Sequence, residues 1–127
     1  MPCQWILIIE DDESIRETLK IFLEYEGYRV TTAGNGKEGL EVLPSAGNPC
    51  LVLLDLMMPV MDGWQFIEKA RSHETLATTP IVVVTAFAEK ARGIKARAVI
   101  KKPVDLDFLL KTVRQYCGPP ASAVAAS

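Results

Sequence analysis

The sequence predicts an α/β domain built on a parallel β-sheet that helices cover on both faces. Five short runs of apolar and β-branched residues, typical of strands buried on both sides, are spread along the 127 residues. Amphipathic stretches with helical spacing separate most of these runs. A chain of this length is typical of one domain whose core is large enough to fold without cross-links.

The strand runs and helical stretches follow one another in order. The predicted strands are residues 5–9, 28–33, 50–54, 80–86 and 96–100. The predicted helices are residues 14–26, 36–43, 64–72 and 106–116, and Gly27 follows the first of them at the place where a glycine commonly ends a helix. The segment after Thr85 has only a weak helical pattern, so the fourth helix of the alternation is expected to be shortened or irregular.

Composition argues against several classes of function. The 14 Lys and Arg nearly balance the 16 Asp and Glu, which predicts no direct nucleic-acid binding and no attraction to an anionic membrane. No apolar run reaches the roughly 18 to 20 residues that cross a bilayer, so we expect a cytoplasmic protein. Cys3, Cys50 and Cys117 are far apart and lack metal-ligand spacing, which favours reduced thiols over a disulfide framework or a zinc site.

The two ends of the chain differ in composition. Residues 1–117 contain all the predicted strands and helices and are expected to form one domain. Residues 118–127, GPPASAVAAS, are small and proline-containing without periodicity, which predicts a flexible tail or the start of a linker. His73, the only histidine, falls at the polar end of the third helix and is expected to lie on the surface.

Polar residues follow the predicted strands at their carboxyl ends. These residues are Glu10 and Asp11 after the first strand, Asp55 after the third, Thr85 at the end of the fourth, and Lys102 after the fifth. In an open parallel sheet the carboxyl ends share one edge, and that edge is the usual ligand site. We therefore expect three carboxylates, a hydroxyl and an ammonium to meet in one cleft.

This set of groups points to a particular chemistry. Carboxylates crowded together raise one another's pKa unless a cation accompanies them, and an all-oxygen set favours Mg²⁺. Lys102 beside such a site is explained if a phosphoryl group also binds there, with Thr85 donating a hydrogen bond to it. The interpretation that accounts for all these residues is that Asp55 is a nucleophile that accepts a phosphoryl group.

The segments IIEDDES, LLDLMMPVMDGWQF, VVVTAF and IKKP resemble, in order, the receiver domain of two-component response regulators. The resemblance implies a flavodoxin-like (βα)5 fold with strand order 2-1-3-4-5. It implies that a sensor histidine kinase or phosphotransfer protein phosphorylates Asp55, and that the readout is a downstream protein or an output domain. The oligomeric state is left open.

The resemblance also implies roles for individual residues. Asp11 resembles a direct Mg²⁺ ligand, Glu10 the second member of the acidic pair, and Met57 the residue whose backbone carbonyl completes the protein ligands. Thr85 resembles the family's switch hydroxyl, which moves toward the phosphoryl group. Lys102 resembles the lysine that takes part in the conformational change, and the resemblance implies a cis peptide bond from Lys102 to Pro103. The protein is then not an enzyme in the ordinary sense, since it catalyses only its own phosphorylation and a slow autodephosphorylation.

Each assignment has a plainer alternative. Asp12 lies at a helix start and is expected to cap the helix instead of binding metal, and Asp62 with Gly63 is the chemistry of a turn before a helix. The serious functional rival is a phosphorylation-independent receiver that serves as a protein-interaction scaffold. A flavin carrier is disfavoured by the acids after the first strand, and an aspartyl phosphatase by Met57, which stands where its second aspartate belongs.

The sequence departs from the family pattern between Thr85 and Lys102. These residues are 17 positions apart, fewer than the family usually has, and Val99 stands where an aromatic residue that rotates on phosphorylation is usual. We therefore expect phosphorylation to be retained while its readout differs. Met57 and Phe87, each two positions past a site residue, are expected to hinder water and slow the hydrolysis of the phosphoaspartate.

Overall fold

The computed structural model describes residues 5–72 and 76–120, apart from the side chains of residues 44–46. Five strands lie at β1 (Trp5–Ile9), β2 (Arg29–Ala33), β3 (Leu51–Leu54), β4 (Ile81–Thr85) and β5 (Ala98–Lys101). Four helices lie at α1 (Glu13–Tyr25), α2 (Gly36–Ala46), α3 (Gly63–Arg71) and α4 (Leu106–Cys117). His73 and Cys3 lie outside the described residues, as does the tail from residue 121.

The five strands form one parallel sheet in the order β2-β1-β3-β4-β5. This order, and the flavodoxin-like architecture, confirm the fold prediction. Alternate residues of each strand enter two separate cores, as a sheet covered on both faces requires. Leu7 and Leu54 pack on the side of α2 and α3, whereas Ile8 and Leu53 pack on the side of α1 and α4.

The helix ends are explained by local capping. Asp12 caps α1, since its side chain accepts a hydrogen bond from the amide of Ile15 at 3.0 Å. Asp62 caps α3 in a reciprocal capping box with Gln65. The prediction that Asp12 has a capping role is therefore confirmed. The predicted end of α2 at Leu43 was three residues early, because the helix continues to Ala46 through a proline that usually ends one.

The connection between β4 and β5 holds a single 3₁₀ turn, Ala88–Ala91, instead of a helix. The prediction of a shortened or irregular helix between the fourth and fifth strands is therefore confirmed. Val99 of β5 remains 40 % exposed, because the described part of the chain places a 3₁₀ turn and no α-helix between β4 and β5.

The expectation of reduced thiols was wrong for two of the three cysteines. Cys50 precedes β3, Cys117 ends α4, and the two form a disulfide with their Cα atoms 5.3 Å apart. They are 67 positions apart along the chain, and α4 packs across the sheet against β3 and brings them together. Sequence spacing carries no information on such a long-range approach.

Candidate functional site

The backbone register places two carboxylates side by side at one edge of the sheet. Ile9 of β1 pairs with Leu54 of β3, so the residues that follow them, Glu10 and Asp55, are neighbours. The amide of Asp55 donates to the carbonyl of Ile9 at 3.0 Å, which continues the ladder one step past the strand. Both side chains are buried, with 3 % of Glu10 and 6 % of Asp55 exposed.

Asp11 completes an acidic cluster with these two residues. One carboxylate oxygen from each of Glu10, Asp11 and Asp55 lies within 4.8 Å of the others. Asp11 is exposed and opens the cluster to solvent on one side. Three carboxylates with no sulfur or imidazole are a donor set that suits a hard divalent ion such as Mg²⁺, which retains waters of its own. The three carboxylates that the sequence predicts to share one cleft therefore do converge.

Lys102 enters the cluster from the end of β5. Its Nζ lies 2.5 Å from Oε1 of Glu10 and 3.7 Å from Oδ1 of Asp55. Its backbone amide donates to the carbonyl of Thr85 at 2.8 Å, which fixes the start of the chain beyond β5. The peptide bond from Lys102 to Pro103 is cis, as the resemblance implied.

The charges in this cleft do not cancel. Burial raises the pKa of Glu10 to about 7, because it disfavours the charged carboxylate. The hydrogen bond with Lys102 lowers this pKa only in part, and the nearby carboxylate of Asp55 raises it further. Burial likewise raises the pKa of Asp55; a hydrogen bond with Glu10 and the attraction of Lys102 lower it in part, and the neighbouring carboxylate of Asp11 raises it further. One ammonium is thus insufficient for three carboxylates, which is the condition that a bound divalent cation relieves.

Thr85 ends β4 at the same edge and is fully buried. Its Oγ1 accepts a hydrogen bond from the amide of Phe87 at 3.1 Å. Because a hydroxyl can accept and donate at once, this contact leaves its proton available to a ligand. Met57 lies in the loop after Asp55 with its side chain 43 % exposed, and the assignment of its backbone carbonyl to the metal remains a prediction.

Two residues that hold the site together were missed by the sequence interpretation. Gly63, assigned only to a turn, lies beneath the loop after Asp55, and a Cβ there would be 2.7 Å from the carbonyl oxygen of Asp55. The amide of Gly63 also donates to Leu56 at 2.9 Å. Arg16 of α1 donates from Nη1 to the carbonyl of Glu10 at 2.9 Å. Its position four residues after the cap Asp12 places it in the first turns of α1, but no pattern in the sequence marks the carbonyl of Glu10 as its partner.

Residues 6–114 match the response regulator receiver domain family, and the chain belongs to that family. The chain is 40 % identical over 114 residues to an uncharacterised transcriptional regulatory protein, YkoG, of Bacillus subtilis, with 86 % of this chain and 49 % of that protein covered. It is 38 % identical over 117 residues to an uncharacterised 14.6 kDa protein of Leptolyngbya boryana, with 88 % of each covered. The chain thus spans about half the length of the first of these relatives and most of the second.

Among solved structures, the response regulator TrrA of Thermotoga maritima, crystallised in complex with Mg²⁺-BeF, is similar with a TM-score of 0.76 and 32 % identity. The match covers 89 % of this chain and 98 % of that one. The general role of the family is a phosphoryl-accepting switch in two-component signalling, and its members are regulators, not classical enzymes. Within the described residues, no helix is long and apolar enough to cross a membrane.

Proposed function

We propose that this protein is a phosphorylation-dependent signalling switch in which Asp55 accepts the phosphoryl group. The observation that carries the proposal is the contact of Lys102 with two buried carboxylates at the edge where Asp11 opens to solvent. A buried carboxylate held near a lysine and further acids has no simple structural use, since replacing such a group by an apolar one often stabilises a fold.

The proposed donor is a phosphohistidine of a sensor histidine kinase or a phosphotransfer protein. A carboxylate oxygen of Asp55 attacks the phosphorus, the phosphorus–nitrogen bond breaks, and the imidazole keeps the electron pair. Lys102 supplies positive charge within reach of the oxygen that receives the phosphoryl group, because its Nζ already lies 3.7 Å from Asp55. The hydroxyl of Thr85 donates a hydrogen bond to a phosphoryl oxygen.

The acidic cluster fits Mg²⁺, and we propose that Glu10, Asp11, Asp55 and the carbonyl of Met57 hold it. The bound ion would neutralise charge on the transferring oxygens. The complex of the Thermotoga relative with Mg²⁺-BeF supports this assignment. The raised pKa of Glu10 supports it independently, because a site that lacks positive charge gains stability when a cation binds.

We further propose that residues 1–117 are the receiver domain and that residues 118–127 are a tail or linker. Phosphorylation would change the affinity for a downstream protein or an output domain. The chain would then catalyse only its own phosphorylation and a slow loss of the phosphoryl group, in the cytoplasm where its kinase acts.

The decisive experiment is intact mass spectrometry after incubation with acetyl phosphate and Mg²⁺. The wild type is expected to gain one phosphoryl group only when Mg²⁺ is present, and Asp55→Asn is expected to gain none. Asp105→Asn is the matched control, because Asp105 is an exposed helix cap and asparagine caps equally well. An unchanged mass in a folded wild type that binds no Mg²⁺ would reject the switch and favour the scaffold.

A further inference from the structure

Positive charge is concentrated in one part of the chain. Residues 90–102 contain six Lys and Arg and no Asp or Glu, whereas the rest of the chain contains eight basic and sixteen acidic residues. The nearly neutral total therefore conceals a basic segment on an otherwise acidic molecule. Local charge of this kind, more than net charge, decides which partners a surface attracts.

Five of these six cations lie on the surface, and the sixth, Lys102, points into the acidic cleft. We call the five the basic edge: they are Lys90, Arg92, Lys95, Arg97 and Lys101, and all are exposed. Among the residues that the structure describes, the ion pairs involve none of them. Lys90 lies 5.1 Å from the centre of the Phe87 ring, and the charge of the other four is available to solvent or to a partner.

The basic edge follows an open strand. β5 is the last strand of the sheet and pairs only with β4. The amide of Lys102 donates to the carbonyl of Thr85 of β4 at 2.8 Å, and because backbone groups alternate in direction along a parallel strand, those of Val99 and Lys101 point away from β4. These groups form the hydrogen-bonding row that an added strand would use.

The side chains along this strand form an alternating row. Arg97, Val99 and Lys101 share one face because side chains repeat every second residue, and all three are exposed. An apolar residue between two cations matches an extended peptide with an apolar residue between two acids.

We propose that β5 and the basic edge bind an acidic, extended segment of a partner protein, which adds a strand to the sheet. Backbone hydrogen bonds supply part of the affinity, and the cations select acidic sequences. The proposal does not depend on the chemistry at Asp55, since every group that it uses is exposed in the unphosphorylated protein.

A second copy of the chain fits this edge poorly. Antiparallel pairing of two β5 strands about Val99 would place Arg97 opposite Lys101 on both sides, and directly opposed like charges destabilise a sheet. Nucleic acid also fits less well than a peptide. A nucleic-acid backbone has no row of amide donors to satisfy the open carbonyls, and a strand longer than the basic edge would meet acidic surface.

The test measures the anisotropy of a short fluorescein-labelled peptide of alternating valine and glutamate, titrated with the full chain. At about 0.15 M salt, charges more than about 8 Å apart are largely screened. Arg97→Glu with Lys101→Glu is expected to weaken binding about tenfold or more. Lys37→Glu with Lys111→Glu changes the net charge equally at exposed sites elsewhere, and is expected to change affinity by less than about twofold.

Two further peptides separate strand addition from simple charge attraction and need no protein variant. Methylating the backbone nitrogens on one edge of the valine–glutamate peptide is expected to lower its affinity about tenfold, because its charge stays while its donors are lost. A valine–lysine peptide is expected not to bind the wild type and to bind Arg97→Glu/Lys101→Glu. Equal binding of methylated and unmethylated peptides would overturn the proposal, as would tighter binding of a single-stranded oligonucleotide than of the peptide, or peptide-sensitive self-association in sedimentation.

Discussion

The loops that follow β3 and β4 leave the same edge of the sheet and differ sharply in packing. Residues 55–63 are closely packed: Leu56 is fully buried, and Gly63 lies so close to the carbonyl of Asp55 that no side chain would fit between them. In residues 86–97 a four-residue 3₁₀ turn takes the place of a helix, and Phe87 is 43 % exposed. One loop carries the proposed phosphoacceptor, and the other carries much of the basic edge.

This difference follows from what each loop has to do. Group transfer requires the reacting oxygen to be held to within a fraction of an ångström, and close packing on all sides supplies that restraint. A binding surface needs exposed groups, and a connection without a covering helix provides them. The first loop therefore depends on packing and the second on exposed charge.

The largest expected effect comes from breaking the packing of the first loop. In Gly63→Ala the new Cβ would meet the carbonyl of Asp55 at 2.7 Å and Cα of Leu56 at 2.8 Å. Because these backbone atoms can move apart only by distorting the loop, the free energy of unfolding should fall by about 3 kcal/mol. The rate of phosphorylation should fall as well. Urea denaturation and the acetyl phosphate assay measure the two effects.

Gly93→Ala is the matched change in the second loop. Apart from its chain neighbours, no heavy atom of the described residues lies within 4 Å of the new Cβ, but the backbone angle φ of 76° carries a cost of about 1 kcal/mol for a residue with a side chain. Phosphorylation should be unaffected. Equal losses of stability in the two variants would contradict the contrast between the loops.

The next largest effect is a pH dependence of the Mg²⁺ affinity of the acidic cluster. Because the pKa of Glu10 is about 7 without metal, protons compete with Mg²⁺ below that pH. Affinity should rise about tenfold between pH 6 and pH 8, as the ionised fraction of Glu10 rises. Isothermal titration calorimetry at several pH values measures it, and Glu10→Gln should show a flatter profile.

The raised pKa of Glu10 also makes the free energy of unfolding of the metal-free protein depend on pH. A carboxyl whose pKa is raised from 4.5 to about 7 on folding favours the folded state at low pH, and this contribution is lost as pH rises through that interval. Saturating Mg²⁺ should therefore raise the melting temperature more at pH 8 than at pH 6. A larger increase at pH 6 would contradict the raised pKa of Glu10.

A smaller effect tests the apolar residues that flank the site on each loop. Met57 and Phe87 are both 43 % exposed and lie two positions past Asp55 and Thr85. Polar replacements at these places would help to position the attacking water, so Met57→Asn and Phe87→Glu should each speed loss of the phosphoryl group severalfold. The decay of the phosphorylated mass after removal of acetyl phosphate measures the rate, and unchanged decay in both variants would contradict the prediction.

The smallest effect is expected from Arg71, whose side chain donates a hydrogen bond to the second loop. Arg71 of α3 donates from Nη2 to the carbonyl of Lys95 at 2.8 Å and from Nη1 to that of Ala77 at 3.3 Å. Arg71→Ala should cost about 1 kcal/mol of stability. Hydrogen exchange should speed up in residues 92–97 and stay unchanged in residues 55–63. Equal acceleration in both loops would show that they are not independent.

Much of the site was predictable because parallel sheets obey simple rules. Apolar runs located the strand boundaries to within two residues, and the polar residues after them met at one edge as expected. Gly63 and Arg16 escaped prediction for a physical reason. Their contacts are with backbone carbonyls, and any residue type presents a carbonyl, so no pattern in the sequence marks the partner.

The sequence by itself determined the two cores, the shortened connection and the meeting of Glu10, Asp11, Asp55 and Lys102, because periodicity and position at strand ends encode which face and which edge a residue occupies. The strand order came from the resemblance to the receiver family. Only the tertiary structure decided that Cys50 meets Cys117 and that Arg97, Val99 and Lys101 are exposed along the last strand of the sheet. These outcomes depend on how helices pack across the sheet and on which strand lies last, and such distances are set by the fold as a whole.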